Sequence, residues 1–300
     1  MPPGGRLPAP RVISVMSLDL RAQWAEVLAR RRDLAPTLTP YAEILDRWAS
    51  TPATPARTWS PKECRDAWQR GVPLAVTTPP PIAAADMEDL LGGVMEQVAA
   101  LDPNRAPGLQ RLAAAWDAGA VTPASLLPAR DGLGDGTAEA ASGLDAQSIG
   151  VLACAALRPA LESWLTGARE HLAAAEWGRG VCPFCGAPPG FIDVVEGGHR
   201  RLACHFCGGD WNFAKLRCPL CGVEGTEALY RLRAEGPDEG YVVSGCRSCR
   251  GYLKELDRRE RWNGGAALLE DWSTPHLDVV ARRQGYRKPL PSLLDLLAAG

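Results

Sequence analysis

The chain has 300 residues, 46% of them apolar and 23% charged, with a formal net charge of −2. That is enough apolar material for one or two folded units. The charge balance argues against chain-wide binding to nucleic acid or an anionic membrane. The opening stretch Val12-Ile13-Ser14-Val15-Met16 is too short and broken for a secretory signal, and no run of about 18 apolar residues occurs, so a cytoplasmic protein without membrane insertion is expected.

In chain order, a first helix is predicted over 17–33, capped by Ser17, with Leu20, Trp24, Val27 and Leu28 on one face. A second covers 40–50 and turns Tyr41, Ile44, Leu45 and Trp48 inward. A Thr/Pro-rich loop follows over 51–60. Further helices fit 61–69, 84–101 and 107–118, and two helical segments fit within 145–176, separated or kinked at Pro159. Residues 129–144, with Gly132, Gly134, Gly136 and Gly143, read as a mobile linker. Beyond about residue 178 the composition changes to Cys, Gly and strand-forming residues. Strands are predicted at 191–195 and 199–203 around the turn Glu196-Gly197-Gly198, and again at 211–213, 228–232 and 241–243. A last helix is expected around Leu277-Asp278-Val279-Val280-Ala281. The fold class is therefore α+β: an all-helical domain over 1–178, a first four-cysteine module over 179–215, a second over 216–258, and a C-terminal extension over 259–300 that packs on the modules.

Eight of the ten cysteines fall into four Cys-x-x-Cys pairs: Cys182/Cys185, Cys204/Cys207, Cys218/Cys221 and Cys246/Cys249. Two intervening residues let the backbone curl into a knuckle whose sulfurs face one ion. A glycine directly after the second cysteine, as at Gly186, Gly208 and Gly222, permits the positive φ with which the chain leaves it. The fourth pair has Arg250 there, and a different local geometry is expected. The first two pairs flank 18 residues and one predicted hairpin, the last two flank 24 residues and another. That is the zinc-ribbon or rubredoxin-like arrangement, so sequential pairing is expected over an interleaved one. Two mononuclear ions are expected, iron or zinc, since four thiolates suit either. Units of about 40 residues bury too little surface to stand alone, and metal binding in small zinc domains contributes roughly 10–16 kcal/mol, so the ions should be needed for folding. Nearby Arg179, Arg200, Arg201, Lys215, Arg217, Arg247, Arg250 and Lys254 can offset the thiolate charge.

Cys64 and Cys154 lie in predicted helices and read as buried core thiols. His205, between two ligands of one knuckle, is expected at the surface rather than on the metal. No nucleophile-and-base set, P-loop or dinucleotide fingerprint is present, and no catalytic residue is nominated. Two rival readings are a zinc-ribbon nucleic-acid module and a thiol redox protein. Against the first, residues 179–261 hold 13 Lys/Arg to 11 Asp/Glu, which is too balanced for strong phosphate binding. Against the second, every Cys-x-x-Cys pair has a metal-spaced partner.

The blocks Cys182-Pro183-Phe184-Cys185-Gly186, Cys204-His205-Phe206-Cys207-Gly208-Gly209-Asp210-Trp211, Lys215-Leu216-Arg217-Cys218-Pro219-Leu220-Cys221-Gly222 and Cys246-Arg247-Ser248-Cys249-Arg250-Gly251-Tyr252-Leu253-Lys254 resemble the FdhE family of formate dehydrogenase accessory proteins. The resemblance covers about 180–288 and is looser over the helical half. It departs around the last knuckle, where the family often carries acidic residues and this chain has Ser244-Gly245 and Arg247. It implies a cytoplasmic, chaperone-like maturation factor, not an enzyme. Such a factor would bind the catalytic subunit of a respiratory molybdenum- or tungsten-dependent formate dehydrogenase before export. Its two rubredoxin-like sites would be structural or redox-sensing. Homo-oligomerisation is left open.

Overall fold

Trp24 and Val27 are buried along α1 (Leu20–Arg30), and Tyr41, Ile44 and Leu45 along α2 (Pro40–Ser50), as their spacing predicts. The computed structural model describes residues 20–51, 55–129, 132–173 and 176–297; the expected Ser17 cap lies outside them. Next come α3 (Pro61–Gln69), α4 (Ala84–Leu101), α5 (Ala106–Asp117) and α6 (Ala146–Leu165). The side chain of Ser60 accepts from Glu63 N, and Pro61 occupies the first turn of α3, where its missing N–H costs nothing.

Two expectations for the helical half are corrected. Pro159 does not divide the segment: α6 runs through it. A proline leaves the carbonyl four residues back without its helical donor. Here that carbonyl belongs to Ala155, and the Trp48 indole N–H from α2 donates to it at 2.7 Å. Nor is 129–144 a featureless linker in its described part. Pro128–Ala129 pairs with Gly132–Leu133, and a short helix, Thr137–Ser142, is flanked by Gly136 and Gly143 at φ 84° and 70°. The glycines supply left-handed turns at both ends of that helix, a role that composition alone does not separate from looseness.

The cysteine-rich half forms β1 (Phe191–Val194), β2 (Arg200–Ala203), β3 (Asp210–Phe213), β4 (Leu229–Arg233), β5 (Tyr241–Cys246) and β6 (Tyr252–Asp257). These make one sheet in the order β3-β2-β1-β6-β5-β4. Every neighbouring pair is antiparallel except β1 and β6, which pair parallel with Phe191 opposite Lys254. Sequence reading missed β6, although it joins the two hairpins. All six of its residues are buried, yet three are charged. Interior strands normally read as apolar runs. Here partners from elsewhere neutralise the charges. Lys254 Nζ lies 2.6 Å from Asp278 and 3.1 Å from Asp271, Glu255 meets Arg231, and Asp257 meets Arg259.

Two helices, α7 (Ala267–Trp272) and α8 (Pro275–Arg283), follow the sheet, and a last short helix spans Leu293–Leu297. Trp272 stacks on Tyr41 at 4.3 Å and stands edge-on to Trp24 at 6.1 Å, which ties the C-terminal segment to α1 and α2. Asp271 and Asp278 of the same segment hold Lys254 and Lys288 in the interior. One continuous core runs from the helices into the first cysteine group. A smaller core, built on Phe191, Tyr241, Tyr252, Leu256 and Tyr286, lies within the sheet and its C-terminal cover.

Candidate metal centres

All four knuckles share one hydrogen-bond frame. The N–H four residues after the first cysteine donates to that cysteine's carbonyl: Gly186 to Cys182, Gly208 to Cys204 and Gly222 to Cys218 at 3.0 Å, and Arg250 to Cys246 at 2.9 Å. Each first cysteine's N–H donates 2.8 Å to the carbonyl five residues on. The exit residue takes positive φ in every case: 88° at Gly186, 68° at Gly208, 78° at Gly222 and 58° at Arg250. The different geometry expected for the fourth knuckle is therefore not found. Arg250 adopts the glycine conformation, with its guanidinium 4.3 Å over the Tyr286 ring and donating to the carbonyls of Gln284 and Gly285.

The fold gathers the sulfurs sequentially. Cys182, Cys185, Cys204 and Cys207 form one group and Cys218, Cys221, Cys246 and Cys249 the other, with all donor atoms of a group within 4.8 Å of one another. Sulfur–sulfur distances are 3.5 Å for Cys182–Cys207 and 3.4 Å for Cys185–Cys204, then 3.9 Å for Cys218–Cys249 and 3.7 Å for Cys221–Cys246. A tetrahedron with metal–sulfur bonds of about 2.3 Å has edges of about 3.8 Å. The donor set and its size therefore fit one thiophilic ion per group. Backbone N–H groups reach sulfur within the second group, Leu220 N to Cys218 Sγ and Gly251 N to Cys249 Sγ, both at 3.4 Å.

Electrostatics point the same way. Burial pushes the Cys182 and Cys185 thiols well above the ordinary thiol range. Burial also acts upward on Cys207, but hydrogen bonds from the other three thiols hold it well below that range. Four thiolates cannot coexist in so dry a pocket without a cation among them. In the second group burial raises Cys218, whereas at Cys246 the N–H groups of Cys249 and Ser248 outweigh burial and bring the thiol to about 7. Cys64 and Cys154 stand apart from both groups as buried thiols, raised by burial to about 11 and about 12.

The first group is seated on the helical half. Trp68 Nε1 donates to the Pro183 carbonyl at 3.1 Å, Leu74 N to the same carbonyl at 3.1 Å, and Ala75 N to Phe184 O at 2.8 Å. Arg158 Nη1 donates to His205 O at 2.5 Å, and Arg169 donates to Cys207 O. Neither arginine was among the cations proposed from sequence. A single charged residue on the otherwise apolar face of α6 is the signal that could have found Arg158. His205 is not at the surface: it is buried, with Nε2 3.0 Å from Asp271 Oδ2 and no part in the sulfur group. Of the cations proposed from sequence, Lys254 serves the buried Asp271–Asp278 cluster. Arg200 is buried at the junction of the ribbons, donating to Arg217 O at 3.1 Å and to Ser244 Oγ at 3.3 Å. Trp211 packs in the sheet core, as expected, and donates to Arg179 O at 3.1 Å.

Fold and sites together define a protein with a helical half docked on a six-stranded sheet that carries two four-cysteine groups, each able to hold an ion. No family model matches the chain. Curated proteins named FdhE homolog do match: that of Stutzerimonas stutzeri is 36% identical over 119 residues, 38% of either chain. The Pseudomonas aeruginosa homolog is 33% identical over 151 residues, 47% of either chain, and the Aquifex aeolicus homolog 32% over 120 residues, 37% of this chain and 40% of the relative. Each alignment spans less than half the relative's length. The crystal structure of the FdhE protein from Pseudomonas aeruginosa shares the fold over 92% of this chain and 95% of that one, with a TM-score of 0.57 at 21% identity. The chain is thus similar in sequence to these FdhE homologs over less than half of its length, and it shares the fold of the Pseudomonas aeruginosa protein. Among the described residues no helix is long and apolar enough to cross a membrane.

Proposed function

We propose that the chain is a non-catalytic accessory factor in formate dehydrogenase maturation. It binds the catalytic subunit of the enzyme in the cytoplasm before export. The eight knuckle cysteines ligate two mononuclear ions, iron or zinc. The observation that carries this reading is the pair of complete four-sulfur groups, at tetrahedral spacing, within the fold shared with the Pseudomonas aeruginosa FdhE protein.

The ion in each site supplies a cross-link between the two ends of a hairpin and takes up the charge of four thiolates. The chain's own residues do the rest. The knuckle frames aim the sulfurs. Arg158 and Arg169 fix the second knuckle to the helices, and Trp68 fixes the first.

Two measurements test the reading. Elemental analysis of anaerobically purified full-length chain should find about two ions per chain, and a Cys→Ser change within either group should remove about one. Pull-down should recover the formate dehydrogenase catalytic subunit. No recovery, together with unchanged formate oxidation in a strain lacking the gene, refutes the accessory role.

A further inference from the structure

The two cysteine groups have the same spacing and the same hydrogen-bond frame, but their surroundings differ. In the first, Cys182, Cys185 and Cys207 are 0% exposed and Cys204 is 2% exposed. These cysteines belong to the main core, together with Phe184, Phe206 and the helices. The helical half closes tightly on them. A Cβ added at Gly208 would stand 2.9 Å from Glu162 Oε1 and 3.0 Å from Arg158 Nη2, and one at Gly209 would stand 2.5 Å from the Phe184 ring.

In the second group Cys218 and Cys246 are buried, but Cys221 and Cys249 are exposed. None of its cysteines belongs to either core cluster. A Cβ at Gly222 would meet nothing nearer than an Arg217 side-chain nitrogen at 3.6 Å. The residues beside Cys249, namely Arg247, Ser248 and Arg250, are themselves exposed, and those beside Cys221, Leu220 and Gly222, are half-buried. Its braces include the C-terminal segment at Gln284 and Gly285, which holds Arg250, the carbonyl of Gly178, which accepts from Arg217, the buried Arg200, which donates to Arg217 O, and Gly180, which lies against the Pro219 backbone. Two of the four ligand residues of this group, Cys221 and Cys249, therefore lie on its solvent side.

A metal held by four thiolates exchanges when an incoming ligand reaches it as a thiolate leaves. The rate follows access to the ion and the cost of local opening. We propose that the Cys218/Cys221/Cys246/Cys249 centre is an exchangeable site for a thiophilic divalent ion, opening along its Cys221–Cys249 edge, while the Cys182/Cys185/Cys204/Cys207 centre is closed and retains its ion. In the exchange step an incoming thiolate or chelator donor forms a bond to the ion. The bond from Cys221 or Cys249 breaks, and the released thiolate takes a proton from water. No electron moves. The second centre is thus the place where this chain gives up or accepts an ion, for instance to a thiol presented by a partner surface.

This inference rests on the reading of both groups as metal centres. The test uses the full-length chain loaded with zinc, challenged with excess EDTA, with samples analysed over time for retained zinc. Two phases are expected, one ion leaving about tenfold faster or more than the other. In parallel, pulsed iodoacetamide labelling read by peptide mass should mark Cys221 and Cys249 first. The C221S/C249S variant should lose the fast phase and keep the slow one. The labelling needs no variant and so guards against misfolding of the double change. Two ions leaving at one rate, or first labelling at Cys182, Cys185, Cys204 or Cys207, overturns the inference and leaves the metal centres standing. A chain that takes up no zinc at either group overturns both.

Discussion

Arg250 stands where each of the other three knuckles has glycine, and at φ 58° it is the only non-glycine residue with positive φ among the described residues. Holding an L side chain in that region costs about 1 kcal/mol. The side chain offsets this. Its guanidinium over Tyr286 contributes about 0.5–1 kcal/mol at an exposed position. Its bonds to the carbonyls of Gln284 and Gly285, at the end of α8, add about 0.3–1 kcal/mol. Arg250→Ala keeps the backbone cost and loses the contacts, for a net loss of about 1–2 kcal/mol. Arg250→Gly loses the same contacts but recovers about 1 kcal/mol of strain, leaving it near wild type. The glycine variant should therefore be more stable than the alanine variant by about 1 kcal/mol, the reverse of the order in helices and strands. Urea unfolding of the three zinc-loaded chains, compared at equal m-value, reads this difference. An alanine variant at least as stable as the glycine one refutes the claim that the knuckle demands a left-handed exit.

Three further outcomes follow from the same structure. Trp48→Phe should cost about 1 kcal/mol more in the wild-type chain than in a Pro159→Ala background, where the new N–H can serve the Ala155 carbonyl; equal costs in a double-mutant cycle would remove the indole from that role. Arg158→Met should destabilise by about 1.5–3 kcal/mol, since the buried carbonyl of His205 loses a charged donor, and should hasten zinc loss from the Cys182 group; a retention time equal to wild type would show that the helices do not seal that site. Asp271 is held below the ordinary carboxylate range, burial notwithstanding, by Lys254 and Lys288. Its contribution is thus complete above the unfolded value of about 3.9 and fades as pH falls toward the lower folded value. Asp271→Asn should cost about 3–5 kcal/mol at neutral pH and flatten the acid limb of the stability profile, which thermal unfolding against pH would check.

The parts of the molecule that sequence made legible are those where local rules and tertiary structure agree. Helices α3 and α4 begin and end at the predicted residues, because caps, prolines and apolar spacing all act locally. The cysteine grouping was equally readable, because two hairpins of ordinary length admit sequential pairing without crossing chains. The failures share a different cause. Strand β6 carries Lys254, Glu255 and Asp257; Arg259 next to the strand serves Asp257, but the partners of Lys254 and Glu255 lie on α7, α8 and β4, so no window centred on the strand contains the reason those two can be buried. Pro159 breaks a helix by every local rule, and its rescue comes from Trp48, more than a hundred residues away. His205 looked like a polar residue inside a solvent-facing knuckle, and Asp271 supplies the acceptor that lets it be buried.

The parallel joint between β1 and β6 settles where the two cysteine groups lie. The first knuckle leads into the start of β1, and Cys204 follows the end of its antiparallel neighbour β2. The fourth knuckle leads into the start of β6, and Cys246 ends β5. Because Phe191 pairs with Lys254 in parallel register, the starts of β1 and β6 lie at the same end of the sheet. An antiparallel joint would have sent the two cysteine groups to opposite ends. The helices then cover one group, while two cysteines of the other stay exposed, so two ribbons of like spacing have unequal surroundings at one end of the sheet. Chemically similar donor sets thus acquire different accessibility from topology alone, without any change in ligand type or spacing.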